Sequence, residues 1–136
     1  MNSLRSIYGL SYDNSNFNSG LVNWYNRMID KSLDELDVVD ISKMLRQNIL
    51  KEVALEKAVD LFIADPYSGE FDDGGLLDII VSQNHIIDDK NKAKELKELL
   101  SKLELEYLDF DWSSENLKNQ YCMNVKKLMS ALKVSD

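Results

Sequence analysis

Apolar residues at helical spacing recur along most of this chain, and that pattern constrains its fold more than any other feature. In residues 114–133 the apolar positions advance by three or four, as on one face of an α-helix: Leu117, Tyr121, Val125, Leu128 and Leu132. Similar spacing from Gly20 onward and within residues 90–103 predicts two further amphipathic helices. Only residues 104–112, where an alternating pattern competes with a helical one, stay open. The sequence therefore predicts an all-α bundle of about five to six helices, preceded by an irregular arm in the first twenty residues.

Polar residues and a single proline divide the middle of the chain into separate helices. Ser32 and Glu35 stand at the spacing of a capping box, which begins a turn of helix. Asp40 is predicted to be the N-cap of the next helix. Apolar residues then cover almost every helix face, so we interpret the stretch as two helices with a break near residues 50–53. Pro66 ends the second of them, because it disfavours helical backbone at the residue before it.

Residues 66–75 are the clearest predicted loop, since they contain three glycines and two adjacent aspartates. A short apolar helix is predicted directly after it, over residues 76–81. Two aromatic residues lie in or beside the acidic part of this loop. We expect Phe71 to be buried as an anchor for the loop and Tyr67 to be available for binding.

The chain is acidic, and nearly all of the imbalance lies in one stretch. It contains 24 Asp and Glu against 16 Lys and Arg, for a net charge of -8. Residues 61–89, here called the acidic segment, contain no Lys or Arg and seven acids: Asp65, Glu70, Asp72, Asp73, Asp78, Asp88 and Asp89. Such acids either cap local helices and turns or form a docking surface for a basic partner. These seven acids and Tyr67 are the predicted partner-binding residues.

Composition disfavours several classes of protein. The excess of acid argues against sequence-independent binding to nucleic acid and against binding to anionic membranes. Cys122 is the only cysteine, so an intrachain disulfide is excluded, and we expect a packed, inert thiol. The first residues do not resemble a signal peptide, and no apolar stretch approaches the length needed to cross a bilayer. A cytoplasmic protein is expected.

No catalytic or metal-binding template fits the sequence. It lacks a Gly-x-Ser-x-Gly turn, a phosphate-binding glycine loop and paired histidines at metal spacing. An EF-hand with Gly75 at its sixth position would need an acid at Val81 and fails. His85, the only histidine, is expected to be a surface or capping residue. We therefore expect no enzyme, no cofactor and no metal site.

Residues 31–81 resemble the shared block of the contact-dependent growth inhibition immunity proteins. The resemblance rests on five short runs: Lys31–Leu36, Asp40–Gln47, Ala58–Phe62, Asp65–Pro66 and Phe71–Leu77. Its most specific parts are a Leu-Arg-Gln step and the spacing from Asp-Pro to Asp-Gly-x-Leu-Leu. The chain departs from the pattern at Ala54, where many members have proline, and at Gly75, where an acid is usual. Residues 1–30 and 90–136 match weakly, which leaves the identity of the partner open.

The resemblance implies a small cytoplasmic protein of one domain, spanning residues 1–136, with a monomer favoured. Such proteins are not enzymes; they bind and neutralise the C-terminal toxin domain, often a nuclease, of a large effector delivered by a neighbouring cell. A nuclease attracts a polyanion with a basic cleft, and the acidic segment can occupy or abut such a cleft. The alternative is an acidic helical adaptor or nucleic-acid mimic that binds a basic host protein.

Two polar residues at the end of a predicted helix each have two possible roles. Arg46 either pairs with an acid, such as Asp40 or a loop carboxylate, or contacts the toxin directly. Gln47 either holds a loop backbone or makes such a contact itself.

Overall fold

The computed structural model describes residues 2–14, 19–83, 87 and 89–134. Within these ranges seven α-helices follow one another: α1 (Leu4–Tyr8), α2 (Gly20–Met28), α3 (Val38–Arg46), α4 (Lys51–Ala64), α5 (Gly75–Ser82), α6 (Lys90–Glu106) and α7 (Glu115–Val134). Two short 3₁₀ helices, Leu33–Glu35 and Tyr107–Asp109, lie between them, and no strand occurs in the described part of the chain. The predicted all-α fold is confirmed.

The N-terminal arm is more ordered than the sequence predicts. It contains α1, which begins where the Ser3 side chain accepts a hydrogen bond from the Ser6 amide, 3.1 Å away. The side chain of Leu4 is buried, and the Leu4 amide donates to the carbonyl of Lys31 at 2.9 Å. Helix α1 ends at Gly9, whose φ of 63° is the left-handed conformation that glycine adopts readily. A helix of five residues with one buried apolar side chain has no periodicity to detect, which explains why the sequence predicts an irregular arm.

Helix α3 starts before the predicted cap. Asp37 is the N-cap, and its carboxylate accepts from the Asp40 amide at 2.9 Å. Asp40 is the third helical residue, and its side chain completes the capping box. It is 3% exposed, and its carboxylate accepts hydrogen bonds from the Trp24 indole at 2.9 Å and from the Lys31 ammonium at 2.7 Å. The prediction of Asp40 as the cap is therefore wrong, because an equally suitable acid lies three residues earlier. The turn begun at Ser32 is confirmed.

The predicted break between α3 and α4 is confirmed and falls slightly earlier in the chain. Asn48 and Leu50 have φ values of 57° and 46°, which no continuous α-helix contains. The amide of Ile49 instead donates to the carbonyl of Met44 at 2.9 Å, which satisfies the end of α3. Helix α4 ends two residues before Pro66, as predicted.

The core lies where the last five helices meet. Helix α3 packs on α4 and α5, α4 packs on α5, and α7 packs on both α5 and α6. Their buried residues include Met44, Leu55, Phe62, Leu77, Leu100, Tyr121 and Val125. Of the open stretch 104–112, residues 104–109 are helical, since α6 continues to Glu106 and the second 3₁₀ helix ends at Asp109. This arrangement places the α4–α5 connection beside the start of α7.

Candidate functional site

The connection between α4 and α5, residues 65–74, is a tightly hydrogen-bonded loop and is here called the acidic loop. The Gly74 amide donates to the Tyr67 carbonyl at 2.7 Å, and the Leu76 amide donates to the Ser68 carbonyl at 3.0 Å. Ser68 in turn donates from its amide to the Asp65 carbonyl at 3.2 Å. Backbone groups that are paired within a loop hold its side chains in fixed positions. The acidic loop is therefore a preformed surface feature.

Two glycines make the close approaches in this loop possible. A Cβ atom on Gly69 would lie 2.1 Å from the Asp72 carbonyl oxygen and 2.8 Å from the Gly75 amide nitrogen. No side chain fits there without a backbone shift. Gly74 has a φ of 78°, and a Cβ on it would contact the Trp112 ring at 3.5 Å. The glycines thus let the loop fold back on itself and lie under an aromatic ring.

An aromatic cluster supports the acidic loop from the C-terminal side. Tyr67 stacks on Phe110 with ring centroids 4.2 Å apart, and it meets Trp112 and Tyr121 edge to face at 5.7 and 5.2 Å. The Tyr121 hydroxyl donates to the Pro66 carbonyl at 2.7 Å. Burial raises the pKa of Tyr121, so this donor stays protonated. Tyr67 is half-buried in the cluster, so only part of its side chain is available to a partner; its role in binding stays a prediction.

Phe71 is the most exposed large apolar side chain in the described part of the chain, at 80% exposure. The expectation that it is buried is wrong, because Tyr67 supplies the anchoring contact instead. The Arg46 guanidinium lies over the Phe71 ring, 5.3 Å from its centroid, and forms an ion pair with Glu70. Glu70 is buried, with 5% of its side chain exposed, whereas 40% of the Arg46 side chain is exposed. The expected pairing of Arg46 with a loop carboxylate is confirmed; contact with a toxin stays a prediction.

Three of the predicted partner-binding acids lie exposed on the acidic loop: Asp65, Asp72 and Asp73. They come from both ends of the loop. No salt bridge holds any of them among the described residues. Solvated, unpaired carboxylates of one sign create a local negative potential that attracts cations.

The other predicted acids have local structural contacts or fall outside the described residues. Asp78 is exposed on α5, and its carboxylate accepts from the buried Asn124 side chain at 3.0 Å. Asp89 caps α6 by accepting from two backbone amides, at 2.9 and 3.1 Å. Asp88 lies outside the described residues, as does His85. The acidic segment thus contains acids with local structural contacts and exposed acids without a salt bridge.

Sequence reasoning missed two acids that come from beyond the acidic segment. Asp109 directly precedes Phe110, whose ring stacks on Tyr67, and burial together with the carboxylates of Glu106 and Asp109 raises the pKa of Tyr67. Both acids are exposed. The sequence does contain an indication of these acids, because residues 104–112 include four acids and no Lys or Arg. The acidic surface, as we use the term below, comprises five exposed carboxylates: Asp65, Asp72, Asp73, Glu106 and Asp109.

A groove of about 320 Å³ runs beside Phe71. It is lined by Arg46, Glu70, Phe71, Asp72, Gly75, Asp78 and Ile79. It contains no nucleophile placed next to a base. No group of three or more His, Cys, Asp or Glu residues in the described ranges is arranged to hold a metal ion. Carboxylates beside an aromatic ring suit the binding of a cationic side chain better than catalysis.

Two remaining features bear on the sequence predictions. Cys122 is half-buried on α7 and shares a depression of about 200 Å³ with Tyr107, so its thiol is less packed than expected. Gln47 lies at the end of α3 and lines a separate depression beside Trp24.

Among the described helices, none combines the length and the apolar character needed to span a bilayer.

Comparison with protein families extends the resemblance that the sequence suggests. The family model for CDI immunity proteins, where CDI is contact-dependent growth inhibition, matches residues 6–103. The match is wider than the block at residues 31–81 and includes the whole acidic loop and its Arg46 contact. No protein among the curated ones matches the chain. Because the match covers most of the chain, the chain belongs to the family of contact-dependent growth inhibition immunity proteins, whose members neutralise toxins.

Proposed function

We propose that this immunity protein binds the toxin domain of its cognate effector through the acidic surface, and that the toxin is a nuclease with a basic cleft. The observation that carries the proposal is the set of exposed carboxylates on a loop that backbone hydrogen bonds close between Tyr67 and Gly74 and between Ser68 and Leu76. A surface that keeps its shape before binding loses little conformational freedom in the complex. Asp65, Asp72 and Asp73 are proposed to face the toxin directly.

The remaining acids of the acidic segment are given more specific parts in this proposal. Glu70 fixes Arg46, and Asp78 holds Asn124, so each positions a neighbouring group and adds to the local potential. Asp89 contributes charge from the start of α6. Asp88 and Tyr67 stay proposed partner-binding residues.

Electrostatic complementarity explains why such a surface suits an immunity protein. Opposite potentials raise association rates towards ~10⁸–10⁹ M⁻¹s⁻¹ at low salt, compared with ~10⁵–10⁶ M⁻¹s⁻¹ without steering. Fast capture matters when a toxin enters the cell already folded and active. An inhibitor of this kind buries about 1,600 Å² in its complex. The nuclease cleft, built to hold phosphates, supplies the positive potential.

We further propose that the chain acts in the cytoplasm as a monomer, one copy per toxin domain, and performs no chemistry. Inhibition by occupancy predicts that toxin activity falls linearly with added chain and reaches zero at a ratio of one. Titration of purified toxin domain with the chain measures this directly. Loss of activity at a small fraction of that ratio contradicts the proposal.

Growth protection tests the function itself. The toxin domain should be taken from the effector gene that lies directly upstream of this chain's gene. Co-expression with this chain should restore growth, and the two proteins should purify together. Continued toxicity with no co-purification would sink the proposed function.

Matched charge variants test the acidic surface. The pair Asp72→Asn and Asp73→Asn removes two charges from the acidic loop, whereas Glu95→Gln and Glu98→Gln remove two from exposed sites on α6. We expect the loop pair to slow association about 3- to 10-fold at low salt and to flatten its salt dependence. The α6 pair has the same net charge and should associate at nearly the original rate. Stopped-flow kinetics give both values; equal slowing by the two pairs contradicts direct docking at the loop.

A further inference from the structure

Phe71 combines high exposure with a fixed position. Its ring is 80% exposed, yet it stands on the acidic loop between the constrained Gly69 and Gly74. An isolated exposed apolar residue is common on protein surfaces and needs no explanation. Phe71 differs because backbone hydrogen bonds close the loop on either side of it, from the Gly74 amide to Tyr67 and from the Gly75 amide to Asp72, and the Arg46 guanidinium lies against one face of its ring. A rigid, exposed aromatic residue is the type most often found at the energetic centre of an interface.

The neighbours of Phe71 indicate what such a ring can bind. Arg46 is already neutralised by Glu70, so it adds little positive potential beside the ring. Asp72 is adjacent in the chain, and Asp78 lines the same groove together with Ile79. The groove therefore offers apolar walls near the ring and carboxylates at its margin. A lysine or arginine side chain has this composition, an aliphatic stem that ends in a cation.

We infer that Phe71 is the anchor of toxin recognition and that it packs against the stem of a lysine or arginine of the toxin, whose cation reaches Asp72 and Asp78. This inference rests on the proposed function and assigns it a central contact. Arg46 is a positioning residue: its guanidinium covers part of the ring and fixes the side chain before the toxin arrives. The carboxylates raise the association rate of the toxin, and Phe71 lowers its dissociation rate.

The first test compares Phe71→Ala with two controls in binding to the cognate toxin domain. Phe71→Ala should weaken the complex by about 30-fold or more, mainly through faster dissociation, because this is the range of interface hot spots. Phe71→Tyr keeps the ring and should stay within about 3-fold of the original. Leu105→Ala removes another side chain that is 76% exposed, on α6, and should leave binding unchanged. Thermal melts should show Phe71→Ala as stable as the original chain, since its ring is solvated.

The second test identifies the cation on the toxin. Exposed lysines and arginines of the toxin are changed to alanine one at a time, and each is combined with Phe71→Ala in a double-mutant cycle. At least one toxin substitution should weaken binding to the original chain about 10-fold. The same substitution should weaken binding to the Phe71→Ala variant less than about 3-fold. Absence of any such coupled pair overturns the assigned cation.

The outcomes separate this inference from the function beneath it. If the original chain binds the toxin and Phe71→Ala binds within 2-fold of it, the anchor is overturned while the immunity function stands. If Leu105→Ala weakens binding and Phe71→Ala does not, the toxin contacts the end of α6 rather than the groove beside Phe71, and the inference is equally overturned. Failure of the original chain to bind overturns both.

Discussion

Replacing Gly69 with alanine measures how rigidly the acidic loop is built. The added Cβ would lie 2.1 Å from the Asp72 carbonyl oxygen. Carbon and oxygen in contact stay about 3.3 Å apart, so the backbone must open by about 1.2 Å. This movement strains the hydrogen bond from the Gly75 amide to the same oxygen, 3.1 Å long in the original chain.

The cost follows from three contributions. Overpacking of this kind destabilises by about 1–3 kcal/mol. Weakening of one backbone hydrogen bond adds about 1 kcal/mol. The smaller conformational freedom of alanine in the unfolded chain offsets about 0.4–1 kcal/mol of this. We expect Gly69→Ala to lower the free energy of unfolding by about 1–3.6 kcal/mol, which for a chain of this length lowers Tm by about 4–13 °C.

The neighbouring Gly75 provides the matched control. A Cβ there would meet only the Gly69 Cα, at 3.5 Å, an ordinary contact. Gly75 is the first residue of α5, where alanine is the better helix former, so Gly75→Ala should be neutral or slightly stabilising. Urea unfolding followed by circular dichroism gives both free energies. If Gly69→Ala and Gly75→Ala are equally stable, the loop relaxes freely and the argument for a preformed surface fails.

Three further predictions concern the core, the loop support and pH. Leu45→Ala, which deletes a buried contact of α3, should cost about 2–5 kcal/mol in urea unfolding, and a cost near zero would show that this helix face is misassigned. Tyr121→Phe removes the hydroxyl that donates to the Pro66 carbonyl and should cost about 1 kcal/mol, whereas an unchanged midpoint would assign that bond no net value. Burial disfavours the charged form of Asp40, but hydrogen bonds, first of all from Lys31, outweigh it and lower its pKa. The stability that Asp40 contributes should therefore be complete above its unfolded-state pKa of 3.8 and be lost as the pH falls below that value. The difference in unfolding free energy between the original chain and Asp40→Asn should narrow over the same pH range. A difference that is constant with pH contradicts the assignment.

Helix identity was predictable from sequence because the apolar spacing reports which face of a segment is buried. The steps of three and four through Tyr121 and Val125 locate α7, and Pro66 locates the end of α4. Both signals are local. They depend on a residue and its neighbours within a few turns, and they need no knowledge of the packing partner.

The exposure of Tyr67 and Phe71 was not predictable in the same way. Both are aromatic, both lie beside acids, and the local pattern does not distinguish them. Their fates depend on Phe110 and Trp112, which reach the loop from more than 35 positions away. Periodicity carries no information about which segments meet, so it did not show that Tyr67 packs in the cluster while Phe71 stays exposed.

The extent of the acidic surface has the same explanation. The charge count by segment found Asp72 and Asp73, since they are consecutive in a stretch without bases. It missed Glu106 and Asp109, because these belong to a different stretch that joins the loop only after folding. A charged surface is a property of the tertiary structure. Counting charges along the sequence finds only the residues that one continuous segment contributes to it.

The aromatic cluster has a consequence for how such proteins diversify. The family match ends at residue 103, but Phe110, Trp112 and Tyr121, which brace the acidic loop, all follow it. The part of the chain that the family model matches thus contains the loop, and aromatic residues beyond that part pack against it. If the acidic surface is the docking site proposed above, substitutions in the aromatic cluster would shift the loop carboxylates without changing the loop sequence. Under that proposal, toxin specificity could change with Asp65, Asp72 and Asp73 all unchanged.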